Sequence, residues 1–120
     1  GDALGSKQVF CAEAGGLLDD VTKQRNLAFR QRFQDENNVD VKLYAPYVYD
    51  ATMILVEAMK MADSTDPKIF SSQISKVNYL GVTGPISFDK FGDVKNAALT
   101  IFSFQDGNKF PIEVVKSSGS

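Results

Sequence analysis

"LYAPYVYDATMILVEAMKMA", residues 43–62, is the stretch from which the fold can be read. Pro46 suits the first turn of a helix, because it fixes φ and lacks only a donor that has no intrahelical partner there. From about Tyr47 to Ala62 apolar residues recur at helical spacing. Tyr47, Ala51, Ile54, Leu55, Ala58, Met61 and Ala62 make one broad stripe. Three tyrosines, Tyr44, Tyr47 and Tyr49, crowd into the entrance of this helix. Their spacing alone fits either packing or contact with a ligand.

Upstream, Gln8 to Ala12 is a short, β-friendly run closed by Gly15 and Gly16. A helix is predicted to follow, with Thr22 as N-cap and an end near Glu36, before two asparagines. Phe29 and Phe33 form an i, i+4 pair on it. Asp40 to Leu43 reads as an extended link. Downstream, "DSTDP" (63–67) stops the central helix, and Asp66 with Pro67 opens a third, carrying Phe70, Ile74 and Val77. Beyond "NYLG" (78–81) the texture changes. "GVTGPISF" (81–88), "AALTIFSFQ" (97–105) and "IEVV" (112–115) read as strands, with turns at "DKFGD" (89–93) and at Asp106-Gly107. Pro111 argues against a central place for the last strand. The order strand, three helices, then strands predicts an α/β fold, with the first part α/β in style and the strand-rich tail antiparallel in style. The expected division is 1–80 as an α/β portion, 81–115 as a β-rich segment and 116–120 as a flexible tail.

Composition narrows the function. A length of 120 residues suffices for one modest core, and 43% hydrophobic with 23% charged residues is ordinary for a globular protein. A net charge of −2 gives no bulk electrostatic reason to expect nucleic acid or an anionic membrane as partner. The polar start "GDALGSK" carries no signal-peptide pattern. There is no histidine, so histidine acid–base chemistry, Ser-His-Asp triads and histidine metal sites are excluded within this chain. The single cysteine, Cys11, has no histidine to activate it, and its apolar surroundings predict a buried structural role. "DKFGD" fails as a calcium loop, since Phe91 and Val94 stand where an oxygen ligand and a glycine are needed. Asp19-Asp20 suits a helix N-terminus better than paired-carboxylate chemistry. No enzyme constellation forms, and neither a cofactor nor a metal is expected.

Several stretches, taken together, point to a family. They are "AEAGGLLDD" (12–20), "FRQRF" (29–33), "VKLYAPYVYDA" (41–51), "STDP" (64–67) and "GVTGPISFDKFGDVKN" (81–96). In this order and spacing they resemble the C-terminal part of the periplasmic branched-chain amino-acid-binding proteins, the leucine/isoleucine/valine-type receptors of ABC importers. The resemblance runs from about Ala3 to about Val115. It implies the type I periplasmic-binding-protein fold. That fold has two three-layer α/β lobes, with mostly parallel sheets and flanking helices, joined by hinge strands around one bound amino acid. This chain would be part of the C-terminal lobe with the strand-rich return to the hinge, and would carry only part of the site.

The resemblance also bears on single residues. The position of Tyr44, on the loop before the helix, would face the cleft and pack on the ligand. Tyr47 would be core or cleft rim, and Tyr49 would pack on a neighbouring element. Glu13 would lie at the carboxyl end of the first strand, where ligands of open α/β sheets gather, though a solvated loop carboxylate fits it somewhat better. The expected partners are a small amino acid and a membrane permease, the expected location is the periplasm, and exposed sheet edges predict self-association. A ligand-sensing domain of the same fold, in a receptor or regulator, is the alternative.

Overall fold

A computed structural model describes residues 9–117. They form two compact units. Leu18–Lys95 is one; the segment up to Leu17 and the segment from Asn96 form the other.

The first unit holds the helices. Helix α1 spans Asp20–Asn37 and is capped by Asp19, whose carboxylate accepts from the Thr22 amide at 2.7 Å. The cap is therefore three residues before Thr22, and the expectation for Thr22 is corrected: it lies inside the helix and is buried. A carboxylate at this position satisfies an orphan amide and meets the positive end of the helix dipole. Asn38, at φ 54°, ends the helix in the left-handed region that asparagine tolerates. The inward face runs through Thr22, Asn26, Phe29 and Phe33, at helical spacing.

Helix α2 spans Ala45–Ala62, with Pro46 in its first turn and Tyr44 as N-cap residue. Its buried positions are Pro46, Asp50, Ile54 and Ala58, one every four residues. The expected stripe is corrected in its rotation, for Ala51, Leu55 and Met61 are exposed. What fixes the rotation is a polar anchor at Asp50, described below, and the packing of α3 (Pro67–Ile74). Asp66 caps α3 by accepting from the Lys68 amide, with Pro67 at the first position, as the sequence predicts. Ile54, Ala58, Phe70 and Val77 form the core, flanked by Met59, Ala62, Ile74, Tyr79, Ile86 and Phe88. Burial of each large member is worth about 1.5–3 kcal/mol.

Strands β2 (Tyr79–Leu80) and β3 (Pro85–Ile86) close this unit as a small antiparallel pair. Residues 81–84 are the turn between them, with the Gly81 amide donating to the Gly84 carbonyl at 2.9 Å. The reading of 81–88 as one strand is corrected on this point: Gly84 at φ +124° reverses the chain. "DKFGD" is a turn in which the Asp89 carboxylate accepts from the Phe91 and Asp93 amides.

The second unit is a three-stranded sheet ordered β1 (Phe10–Ala14), β4 (Ala98–Gln105), β5 (Asn108–Lys116). Strand β1 lies two residues later than the sequence predicts, and Gln8 lies outside the described residues. The fold is α/β as expected, and the strand-rich segment pairs antiparallel as its sequence suggests. Strand β1 also pairs antiparallel among the described residues, where a mostly parallel sheet was expected for the lobe. For β4 and β5 the reason is local. Asp106 (φ 50°) and Gly107 (φ 76°) make a two-residue turn, and such turns join antiparallel neighbours. Pro111 sits in β5, an edge strand, opposite Phe102 beside a bulge, so its missing donor is tolerated. Cys11 is half-buried, a correction to the buried role expected, because β1 is the other edge strand. Of the expected tail, Lys116 belongs to β5, and residues 118–120 lie outside the described residues.

Candidate functional site

The tyrosines separate by depth. Tyr44 precedes the first turn of α2 and is 72% exposed. Its backbone carbonyl accepts from Val48, which starts the helical ladder, and its ring projects from the loop–helix junction. Tyr47 is half-buried one turn on. Residues three apart on a helix share a face, so Tyr44 and Tyr47 are neighbours at the helix entrance. Tyr49 packs as the sequence predicts: its ring centroid lies 4.9 Å from that of Phe29 on α1, and the Arg32 guanidinium lies 5.9 Å from its centroid. Such ring pairs add about 0.5–1.5 kcal/mol beyond burial. Tyr49 therefore ties α2 to α1 and leaves the exposed aromatic surface to Tyr44.

Glu13 belongs to the other unit. It is half-buried in β1, opposite Thr100. Its carboxylate pairs with the Lys109 ammonium at 2.5 Å, and that ammonium lies 4.4 Å from the centre of the Phe102 ring. Strand alternation puts Glu13, Phe102 and Lys109 on one sheet face. A ligand ammonium at Glu13 has to compete with Lys109.

Sequence reasoning passed over the most constrained polar group in the described chain. Asp50 is 1% exposed. One carboxylate oxygen accepts from the Val82 amide at 2.9 Å, and the other from the Thr83 amide at 2.8 Å and the Thr83 hydroxyl at 2.6 Å. A buried carboxylate is costly unless its lone pairs are met, and here three donors converge on it. Gly81 makes the approach possible, because a Cβ there would collide with the Asp50 carboxylate. From α1, Asn26 donates to the Val82 carbonyl at 3.0 Å and Arg25 to the Leu80 carbonyl at 3.2 Å. The 80–83 segment is thus held from two helices. The signal for this was an aspartate at the fourth-residue spacing of Pro46, Ile54 and Ala58. Tyr79, beside the clamp, has its phenol pushed above the ordinary value by burial first and by the Asp50 charge next.

Among the described residues no group of three or more histidine, cysteine or acidic side chains is placed to hold a metal ion, and no helix is long and apolar enough to cross a membrane. What the helical unit does offer is an exposed aromatic at a helix entrance, set on a hydrogen-bonded frame. That arrangement suits non-covalent recognition of a small apolar or aromatic group.

Solved structures similar to the chain include a leucine binding protein from Thermotoga maritima, at 19% identity and TM-score 0.70, covering 96% of this chain and 33% of that one. An ABC transporter substrate-binding protein from Desulfitobacterium hafniense, in complex with Leu, is 23% identical with TM-score 0.70, covering 92% of this chain and 33% of that one. An ABC transporter solute binding protein from R. palustris, in complex with benzoate, is 14% identical with TM-score 0.64, covering 93% and 31%. The chain thus has the type I periplasmic-binding-protein fold and spans about a third of the length of these relatives. No curated protein sequence matches it. The family described as the receptor family ligand binding region matches residues 9–107, most of the chain. The chain belongs to that receptor ligand-binding family.

Proposed function

We propose that this chain is part of a periplasmic solute-binding receptor that captures a branched-chain or similar small amino acid between two lobes and delivers it to an ABC importer. The observation that carries the reading is the match of nearly the whole chain to the fold of substrate-binding proteins, one of them holding leucine. In this reading the protein is not an enzyme: the ligand shifts the population toward a closed form, which the permease recognises. Tyr44 supplies apolar area against the ligand side chain, with Tyr47 at the rim of the contact. Glu13, in the other unit, is a separate acidic candidate for a ligand ammonium, which would have to displace Lys109. The neighbour holding benzoate supports an aromatic acid as a further ligand class.

The family's description as a receptor ligand-binding region supports a second reading, a sensor domain of the same fold in a receptor or regulator. Both readings use the same ligand contacts.

The test is an NMR titration of the 120-residue chain with leucine, isoleucine, valine and benzoate. Because the chain spans a third of the fold, binding is expected only near the millimolar range, about 4 kcal/mol. The expected result is perturbation of residues 44–48 that Tyr44→Ala abolishes. Ligand-induced shifts that avoid Tyr44 and Tyr47 altogether would remove the site assignment. A dissociation constant below about 1 μM for the chain alone would overturn the claim that it carries only part of the site.

A further inference from the structure

The approach to Tyr44 is tied to the Asp50 clamp by a second route, through α1. Asn26 stands at the branch point. Its amide nitrogen donates to the Val82 carbonyl at 3.0 Å, and its amide oxygen accepts from Arg30 Nε at 2.8 Å. Arg30 Nη1 in turn donates to the Val41 carbonyl at 3.3 Å, in the segment that leads into Tyr44. On the other side Asp50, on the helix that Tyr44 opens, accepts from the Val82 and Thr83 amides. The 81–83 turn and the residue 41–44 segment are therefore joined twice, once through α2 and once through the side chains of Asn26 and Arg30.

We infer that Asn26 and Arg30 are positioning residues for Tyr44: they form a relay that orders the segment entering α2, so that the aromatic ring stands on a fixed backbone before any ligand arrives. The physical need is plain. An exposed ring on a mobile segment loses ordering entropy on binding, and a backbone held in advance spares that loss. The chemistry of the two residues fits the role. A side-chain amide can donate to one partner while accepting from another, and a guanidinium can reach two acceptors from one planar group. Helical spacing places residues 26 and 30 on adjacent turns of one face, which lets the bond between them form. The importance of the relay for ligand rests on Tyr44 facing the ligand; the ordering of the segment does not.

The test is amide hydrogen exchange on the 120-residue chain, read separately at 41–48, at 81–83 and at Ile54 and Ala58. Asn26→Ala is expected to speed exchange about three- to ten-fold at 41–45, although the hydrogen bonds of Asn26 run to Val82 and Arg30, and also at 81–83. Arg30→Ala is expected to speed exchange at 41–45 and to leave 81–83 within about two-fold. Asn26→Asp keeps an acceptor for Arg30 but loses the donor to Val82, so it should loosen 81–83 and leave exchange at 41–45 as in the parent chain. Unchanged protection at Ile54 and Ala58 shows that each variant is folded. Exchange at 41–45 that ignores Asn26→Ala in a folded variant overturns the relay. So does loosening of 41–45 by Asn26→Asp equal to that by alanine. In the leucine titration, Asn26→Ala should weaken the Tyr44 response by a similar factor. Absence of any leucine response in the parent chain counts against the ligand reading alone, and the exchange pattern decides the relay.

Discussion

Asp50 and Gly81 are a matched pair: the carboxylate occupies the space that any side chain at residue 81 would fill. Asp50→Ala leaves the buried Val82 amide and the Thr83 donors without their acceptor, and is expected to cost about 3 kcal/mol in urea unfolding. Gly81→Ala forces the two groups apart and should cost about 1–3 kcal/mol. The coupling is the sharper expectation. In the Asp50→Ala background the second substitution should be nearly neutral, because the colliding carboxylate is gone. Additive costs in that double-mutant cycle would show that residue 81 is constrained by something other than Asp50.

At the level of elements, helix α1 depends on the Asp19 cap. The Thr22 amide donating to Asp19 holds that carboxyl below its ordinary value. A group depressed in the folded state stabilises above its unfolded pKa, and the contribution disappears as pH falls through the folded value. Amide protection at Thr22 should therefore fall in acid, below the usual range of an aspartate, and Asp19→Asn should remove that pH dependence. An identical acid profile in both proteins would mean that the N-terminus of α1 is held by packing alone. The elements also show what a sequence carries well. The caps at Asp66 and Pro67 and the Asp106-Gly107 turn were legible because each is a local demand, met by residues adjacent in the chain. The cap of α1 was misplaced by three residues, since both Asp19 and Thr22 are good capping types and only the folded chain, in which the Thr22 amide donates to the Asp19 carboxylate, separates them.

Across the whole molecule, apolar side chains remain on the surface. Val48 and Leu55 lie outward on α2, and Phe10, Leu99, Phe110, Ile112 and Val115 are exposed on the sheet strands. Exposed apolar groups in this number favour association. With the chain spanning a third of the length of its structural relatives, self-association is the expected state at high concentration. Light scattering should show a mass that rises with concentration, and Leu55→Glu or Ile112→Lys should shift it toward the monomer. A constant monomeric mass for the parent chain across a wide concentration range would count against this.

The sequence by itself determined the opening strand and the three helices in their order, the hairpin at Asp106-Gly107, the edge placement that Pro111 requires, and the family. These rest on short-range geometry and on segments such as "YAPYVYDA" and "VTGPISFDKFGD", which keep their identity when read in one dimension. Tertiary structure alone decided which side of α2 faces inward, that Glu13 is engaged by Lys109, and that Asp50 is the buried anchor of Val82 and Thr83. Helical periodicity leaves a rotation undetermined when apolar residues lie on more than one side. A buried charge is stable only where donors distant in sequence converge on it, and Val82 and Thr83 lie more than thirty residues beyond Asp50.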